Sequence, residues 1–163
     1  SPAKSPYLYV NNEAETEKKY YKGFIYTNDL ATWDKNQFVT IIGRKDDMII
    51  SSGENIYPTE VEAVLNTHAK VKDCIVTSVP DKIRGQIVTA YIVPVASIEE
   101  AEHGLAEELD EFCKESNEIA NFKRPRYYRF VSQIPFNATG KKLHVKIKEI
   151  ASRDQKNGLL YRV

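Results

Sequence analysis

"GRKDDMIISSGENIYP", residues 43–58, changes character twice within a short stretch. A glycine and four charged residues come first, the apolar run Met48-Ile49-Ile50 follows, and Ser51-Ser52-Gly53 interrupts that run. This pattern predicts a β-hairpin through "MIISSGENI", because Gly53 can adopt the positive φ that a tight turn requires. Pro58 suits the first position of a following helix. The stretch therefore predicts a boundary between two differently built parts of the chain.

The part before the boundary is strand-like. Residues 1–22 are polar and rich in tyrosine, with little periodicity, and three short strand-like runs follow at 23–28, 30–33 and 37–42. Turn residues separate these runs. Three short strands are too few to form a core alone. The pattern therefore predicts that residues 1–43 are the β-rich end of a larger domain.

The part after the boundary mixes helices and strands. A helix is predicted to begin at Pro58, and its apolar face carries Val61, Val64, Leu65 and His68. The remaining elements are predicted as strands at 74–79, 86–95 and 126–131, and as helices at roughly 99–116 and 142–152. Residues 44–163 are thus expected to form a small α+β domain, with a short hairpin and a roughly three-stranded sheet packed by helices.

Composition excludes several classes of protein. The chain has 163 residues, of which 42% are hydrophobic and 28% charged, so it can bury a core. Cys74 and Cys113 lie far apart without a metal-ligand spacing, and no histidine has such a spacing either, so buried thiols and no metal site are expected. No apolar run could span a membrane and no secretory signal is visible, which predicts a cytoplasmic protein without a membrane span.

Charge is unevenly distributed although the net charge is zero. From residue 121 onward there are eleven Lys or Arg against two Asp or Glu. Within this segment, basic and aromatic residues alternate around the strand at 126–131. Three interpretations stay open here: an RNA-binding strand with stacking aromatics, a strand with basic residues outside and aromatics inside, or a recess for a small polyanion. The neutral overall charge weakens the RNA interpretation.

"PFNATGKK", residues 135–142, has the look of a phosphate loop but lacks the first glycine and the final hydroxyl residue of that motif. What is left is Thr139-Gly140-Lys141, a lysine on a turn just before a predicted helix. An ammonium group beside a helix N-terminus favours a phosphate or a carboxylate. Taken alone, Lys141 is better described as a solvated surface lysine than as a binding residue.

Three blocks in fixed order carry a family resemblance: "YTNDLA" (26–31), "GRKDDMIISSGENIYPTEVE" (43–62) and "PFNATGKK" (135–142). Together they resemble the C-terminal end of the adenylate-forming enzymes, in particular the acyl-CoA synthetases. Residues 79–94 and 121–131 look like the intervening segments of members that act on short-chain, medium-chain or aryl acids. The resemblance covers roughly residues 20–152.

The resemblance implies an AMP-forming acid–thiol ligase, with an expected place in fatty acid metabolism. In such enzymes a carboxylic acid reacts with ATP to give acyl-AMP, and CoA then displaces AMP. A large domain, which also binds most of the ATP and its Mg²⁺, shares the active site with a mobile small domain. This chain contains neither the phosphate loop nor the acyl pocket of the large domain. Alone it is therefore expected to complete neither half-reaction.

Site residues also follow from the resemblance. Asp29 and Arg44 match residues that contact the ribose of the nucleotide, and Asp46 matches the hinge about which the small domain turns. Lys141 matches the catalytic lysine that bridges the acyl carboxylate and the α-phosphate. The residues implied in binding CoA or its pantetheine arm are Ser52, Gly53, Arg84, Lys123 and Arg124.

The chain departs from the family at a few positions. Asn28 stands where glycine is usual beside the ribose-binding aspartate, and Ser52 stands where many relatives have glycine. The stretch after Lys141 lacks the family's usual arginine. These departures put the local backbone geometry near Asp29 in question, whereas Ser52 is expected to be tolerated because Gly53 follows.

Other functions stay open alongside the ligase. One is a stand-alone module that holds CoA or a nucleotide, or that pairs with a separate large subunit. Another is an adenylation domain that loads a carrier protein, although "ENIYPTEVE" and Arg84 favour free CoA. The last is a small basic RNA-binding domain.

Overall fold

Residues 9–21 and 24–163 are described by a computed structural model, and the chain divides into two units between Asp46 and Asp47. The sequence placed the domain boundary three residues earlier, at 43/44. Residues 1–8 and 22–23 of the predicted large-domain segment, including the start of the strand predicted at 23–28, lie outside the described residues.

The first unit consists of a short helix and two small antiparallel pairs of strands. Its elements are α1 (Glu13–Lys19), β1 (Tyr20–Tyr21), β2 (Phe24–Ile25), β3 (Asp29–Trp33) and β4 (Val39–Arg44). β1 pairs with β2, and β3 with β4. Hydrophobic periodicity in the sequence did not predict helix α1, because this helix has no apolar stripe. It is stabilised at its N-terminus, where the side chain of Asn12 accepts a hydrogen bond from the Glu15 amide.

The second unit, Asp47–Val163, is built around a four-stranded sheet. Its elements are β5 (Ile49–Ser51), β6 (Glu54–Ile56), α2 (Pro58–Leu65), β7 (Val71–Asp81), β8 (Gly85–Pro94), α3 (Ile98–Ala101), α4 (Leu105–Glu115), a 3-10 turn (Asn121–Lys123), β9 (Tyr127–Phe130), α5 (His144–Lys156) and β10 (Tyr161–Arg162). The order in the sheet is β10-β9-β8-β7, and only β8 and β9 run parallel.

The core lies on both faces of this sheet because side chains alternate along β7 and β8. Cys74 and Val76 face a cluster that includes residues of α2, α4 and the β5–β6 hairpin. Ile75 and Val79 face a second cluster with Ile147 of α5. The helices therefore cover the sheet from two sides, which is the α+β arrangement predicted from the sequence.

Three predicted elements of the second unit needed correction. The sheet has four strands rather than three, because the two-residue strand β10 is too short to leave a sequence pattern. The helix predicted at 99–116 is two helices separated at Gly104, whose φ is +94°. Helix α2 ends at Leu65, so His68, which was placed on its apolar face, lies beyond it and packs edge-on against Phe112.

Candidate functional site

Asp29 and Arg44 lie opposite each other at the open end of the β3–β4 hairpin. Nη1 of Arg44 is 3.3 Å from Oδ1 of Asp29, and its Nη2 is 3.4 Å from Oδ2 of Asp46. The side-chain amide of Asn28 donates a hydrogen bond from Nδ2 to Oδ2 of Asp46 at 3.0 Å. This hydrogen bond lowers the pKa of Asp46 against the opposing effect of burial, and the Arg44 guanidinium lowers the pKa further. The structure thus brings the two predicted ribose contacts and the predicted hinge residue into one cluster.

Asn28 also explains the first departure from the family pattern. Its φ is +65°, in the left-handed region that glycine and asparagine tolerate best. Its carbonyl accepts a hydrogen bond from the Lys45 amide at 2.8 Å. The backbone conformation that a glycine would adopt beside Asp29 is therefore available to asparagine.

The turn of the β5–β6 hairpin is formed by Ser52 and Gly53, with φ values of +53° and +85°. Two successive positive φ values characterise the tight turns that fit the twist of a hairpin. No atom lies within 4 Å of the position that a Cβ would take on Gly53. The turn thus presents bare backbone at its tip.

Arg84 is held next to this turn although it lies far from it in the sequence. The Ser52 amide donates to the Arg84 carbonyl at 2.9 Å, and the Ile50 amide donates to Oε1 of Gln86 at 3.1 Å. Asp81 accepts hydrogen bonds from the amides of Ile83 and Arg84, which lower its pKa. The structure therefore brings Ser52, Gly53 and Arg84 together at one exposed edge.

Lys141 lies on a turn whose backbone is fixed by Asn137. Oδ1 of Asn137 accepts hydrogen bonds from the Lys141 amide at 2.8 Å and from the Thr139 amide at 3.0 Å. The Asn137 amide in turn donates to the Lys141 carbonyl at 2.9 Å, and Gly140 adopts a φ of +78°. The Lys141 side chain is exposed and forms no ion pair with any described residue. Its ammonium group is available to an external anion.

Lys123 and Arg124, by contrast, are already paired. Nζ of Lys123 lies 2.6 Å from Oε2 of Glu60. Arg124 is buried, with its Nε 2.6 Å from Oδ1 of Asp110, and it also hydrogen-bonds Asn121. Arg124 therefore forms a buried ion pair, which is a structural contact that the sequence interpretation as a CoA ligand did not anticipate.

Strand β9 decides between the interpretations of the basic segment. Tyr128 and Phe130 are buried in the core, while Tyr127 and Arg129 point the other way and are half-buried. This arrangement matches the interpretation of a strand with aromatic residues inside and basic residues outside. The two buried rings cannot stack on nucleic acid bases, so the RNA-binding interpretation loses two of its aromatic residues.

A cluster that the sequence analysis missed lies between α2, β7 and the start of α5. We call it the Glu62 cluster, and it consists of Asp47, Glu62, Asp73, Lys142 and His144. Oε1 of Glu62 lies 2.8 Å from Nε2 of His144, and Nζ of Lys142 lies 2.7 Å from Oδ1 of Asp73. The sequence signal for Glu62 was its place on the buried face of α2, four residues after Pro58 and three before Leu65.

Neither thiol is reactive in this environment. Cys74 and Cys113 are buried and unpaired, as the sequence predicted. Burial raises the pKa of Cys74 to about 12 and that of Cys113 to about 11.

Across the residues that the structure describes, no group of acidic, histidine or cysteine side chains is placed to bind a metal ion. None of the described helices is long and apolar enough to cross a membrane.

Comparison with known proteins decides the family. The family model of the AMP-binding enzyme C-terminal domain matches residues 60–141, half of the chain. The chain belongs to this family. Among similar proteins, a 2-succinylbenzoate–CoA ligase of Bacillus licheniformis is 40% identical over 85% of the chain. A mitochondrial medium-chain acyl-CoA ligase of Macaca fascicularis is 39% identical over 86% of it.

Solved structures lead to the same family. The o-succinylbenzoate CoA synthetase of Bacillus subtilis, in complex with its acyl-adenylate intermediate, matches 85% of the chain with a TM-score of 0.74 and 36% identity. An anthranilate CoA ligase in complex with anthranoyl-AMP matches 90% of the chain with a TM-score of 0.77 and 28% identity. The chain spans only 27% and 28% of the length of those two structures, and 27% and 21% of the length of the two ligases above.

Proposed function

We propose that this chain is the C-terminal part of an AMP-forming acyl-CoA synthetase. The observation that carries the proposal is Lys141: within a domain of the AMP-binding family, its backbone is fixed on an ordered turn while its ammonium group is exposed and unpaired. An exposed cation on an ordered turn suits a reaction in which two anionic groups must approach each other.

The first step of the proposed reaction is adenylation. An oxygen of the substrate carboxylate attacks the α-phosphorus of ATP and forms a new oxygen–phosphorus bond. The bond between the α-phosphorus and the oxygen that bridges it to the β-phosphate breaks, and pyrophosphate is released. Lys141 offsets the repulsion between the carboxylate and the α-phosphate. Asp29 is proposed to accept hydrogen bonds from the ribose hydroxyls, and Arg44 orients Asp29 through the 3.3 Å contact while approaching the ribose itself.

The second step is thioester formation. The CoA thiol gives up its proton to solvent, and its sulfur attacks the acyl carbon to form the carbon–sulfur bond. The bond between the acyl carbon and the phosphate oxygen breaks, and AMP leaves. Gly53 and Ser52 offer bare backbone along which a pantetheine arm can pass, because no side chain projects from Gly53. Arg84 is the cation that we assign to the CoA phosphates, since the charges of Lys123 and Arg124 are already neutralised by Glu60 and Asp110.

The two steps require a pivot and a larger partner. We assign the pivot to Asp46, the last residue before the second unit. Large apolar side chains of the first unit support packing against a preceding large domain that holds the phosphate loop, the acid pocket and Mg²⁺. Those exposed on the β3–β4 hairpin are Trp33 (81%), Phe38 (71%), Val39 (64%) and Ile41 (69%).

The test is performed on the complete enzyme that contains this chain. Acid-dependent exchange of labelled pyrophosphate into ATP is measured with medium-chain and aromatic acids, octanoate and 2-succinylbenzoate first, and thioester formation is then measured with CoA. We expect exchange with at least one acid and a CoA thioester of the same acid. Absence of exchange with every acid overturns the proposal, and transfer to a carrier protein but not to CoA overturns the assigned acceptor. Preference for octanoate over aromatic acids is the result that places the enzyme in fatty acid metabolism.

A further inference from the structure

Glu62 is a buried carboxylate, 6% exposed, that connects three elements. Its Oε1 accepts a hydrogen bond from the Val76 amide of β7 at 2.8 Å and contacts Nε2 of His144, the first residue of α5, at 2.8 Å. Its Oε2 is 3.9 Å from Nζ of Lys142. A carboxylate is this deeply buried only when its partners compensate for lost hydration. Here two of the partners lie immediately after Lys141.

Lys142 is held more tightly still. Its Nζ lies 2.7 Å from Oδ1 of Asp73 and 2.5 Å from the carbonyl of Cys74, both at the start of β7. Its backbone pairs with Phe136 on the other side of the turn. Lys142 and His144, one and three positions after Lys141, therefore both contact the core. The Lys141 side chain, in contrast, forms no ion pair with any described residue.

We infer that Glu62 is a positioning residue for the adenylation step, which it serves by holding Lys142 and His144 and so fixing the direction in which Lys141 leaves the turn. This inference rests on the proposed function. The stretch after Lys141 lacks the arginine that is usual in the family, and in this chain Lys142 and His144 provide the cationic contacts to Glu62. The cluster thus includes one cation whose charge depends on pH, His144.

The charge of His144 depends on the groups that face it. These groups are Glu62 of α2, Asp47 at the start of the second unit, and Lys142. Oδ2 of Asp47 lies 4.0 Å from Nδ1 of His144. Burial lowers the pKa of His144, but the hydrogen bond and charge of Glu62, together with the charge of Asp47, outweigh burial and raise the pKa above 6.5. The folded state thus favours the protonated form. Protonated His144 contributes fully to the stability of the folded state below pH 6.5, and this contribution is lost as the pH rises through the raised pKa of His144.

The first experiment compares Glu62→Gln with Asp154→Asn in the complete enzyme. Asp154 is a matched control, because it is also a buried carboxylate that holds α5 to the sheet. It lies near the C-terminal end of α5 and accepts a hydrogen bond from the Tyr91 hydroxyl at 2.8 Å, whereas Glu62 of α2 contacts the first residue of α5. For each variant, the acid-dependent pyrophosphate exchange with octanoate or 2-succinylbenzoate and the thioester formation from the supplied acyl-AMP are measured. Glu62→Gln should lower the exchange rate on the order of 10- to 100-fold and largely spare the second step.

The control defines what overturns the inference. Asp154→Asn should leave the ratio of the two rates at its wild-type value, even where it lowers the melting temperature. If Glu62→Gln leaves this ratio unchanged, or if both variants change it equally, Glu62 is only a structural residue. If the wild-type enzyme shows no acid-dependent exchange at all, the proposed function fails instead.

The second experiment uses His144 and the pH. His144→Arg keeps a permanent cation beside Glu62, whereas His144→Gln removes it. The exchange rate of the wild type should fall above pH 6.5 with the raised pKa of His144, that of His144→Arg should lack this fall, and that of His144→Gln should be low throughout. Identical pH profiles for the wild type and His144→Arg contradict the inference.

A third measurement does not depend on activity. In the ¹⁵N-labelled 163-residue chain, the Lys141 backbone amide should shift with the same midpoint as the His144 ring, and this shift should be absent in His144→Arg. A Lys141 amide that ignores the titration of His144 overturns the positioning role, whether or not the enzyme activates an acid.

Discussion

Lys141 combines a rigid backbone with a side chain that has no internal partner. Both its amide and its carbonyl are bonded to Asn137, so the turn cannot swing freely. The exposed ammonium group, however, is not neutralised by any described carboxylate. A surface lysine without a function gains nothing from so much backbone order. A lysine that must meet two anions gains correct direction at little entropic cost.

Replacement of Lys141 by alanine in the complete enzyme should therefore remove one half-reaction. We expect acid-dependent pyrophosphate exchange to fall on the order of 100-fold or more, because an electrostatic contact to the transition state is lost. Thioester formation from supplied acyl-AMP should stay close to that of the wild type. Lys146→Ala, at an exposed lysine of α5, is the matched control and should change neither rate. Equal loss of both steps in Lys141→Ala would contradict a role specific to adenylation.

Two arginines that the sequence treated alike should respond in opposite ways. Arg124→Met removes one partner of a buried ion pair, which costs about 3–5 kcal/mol of unfolding free energy. Arg84→Met removes a cation at the exposed edge beside Ser52 and should leave stability nearly unchanged. Denaturant unfolding and the KM for CoA are measured for both. We expect Arg124→Met to lower stability with an unchanged KM, and Arg84→Met to raise KM.

The contrast between these arginines shows what could be predicted at single residues. Lys141 and Asp29 were predicted as site residues because a motif carries them, and motifs consist of residues that are close in sequence. The partners of Arg124 and Glu62 come from other elements, Asp110 from α4 and His144 from α5. A pairing over such separations leaves no spacing in the sequence. The one available signal was the position of Glu62 between Pro58 and Leu65 on the buried face of α2, and it does not reveal the partners of Glu62.

At the scale of elements, the β5–β6 hairpin is the clearest functional unit. Its turn is fixed by the hydrogen bond from the Ser52 amide to the Arg84 carbonyl, and Gln86 accepts a second one from Ile50. The hairpin and the β7–β8 turn therefore form one continuous edge. A pantetheine arm that passes along this edge meets backbone that is already ordered.

Gly53→Leu tests this edge. The φ of +85° makes any β-carbon unfavourable by roughly 1–2 kcal/mol, and the leucine side chain also fills the space in front of the turn. Gly158→Leu is a matched control, because Gly158 also has a positive φ (+68°) with no atom within 4 Å of an added Cβ. Both variants should lose similar stability. Only Gly53→Leu should slow thioester formation more than adenylation, and unchanged CoA kinetics would contradict the assignment.

Elements were predicted from the sequence in proportion to their length. The long strands β7 and β8 and the helix α2 leave clear periodic patterns, and their existence was predicted correctly. Helix α1 is stabilised by a cap and by its terminal charges rather than by an apolar face, so periodicity missed it. The split at Gly104 depends on a single positive φ, which a glycine permits but does not require.

At the scale of the whole chain, burial is concentrated in one unit. Both core clusters belong to Asp47–Val163. In the described part of the first unit, Thr16 is the one buried residue, whereas aromatic and aliphatic side chains such as Trp33 and Phe38 are exposed. The first unit thus buries too little apolar surface to be stable on its own account. This distribution supports the proposal that the first unit is part of a larger domain, and the domain assignment of residues 1–43 stays a prediction.

The boundary at 46/47 leads to a final prediction. Residues 47–163 expressed alone should unfold cooperatively, because burial of apolar area is the main stabilising contribution and this segment contains both clusters. The denaturant midpoint should equal that of the corresponding transition in the 163-residue chain. A shorter piece, 58–163, is the matched control: it lacks the β5–β6 hairpin, whose Ile49 and Ile56 are buried in the first cluster, and should unfold at lower denaturant. If residues 47–163 show no cooperative transition, the first unit contributes to folding of the second, and Asp46 cannot be a pivot between independent bodies.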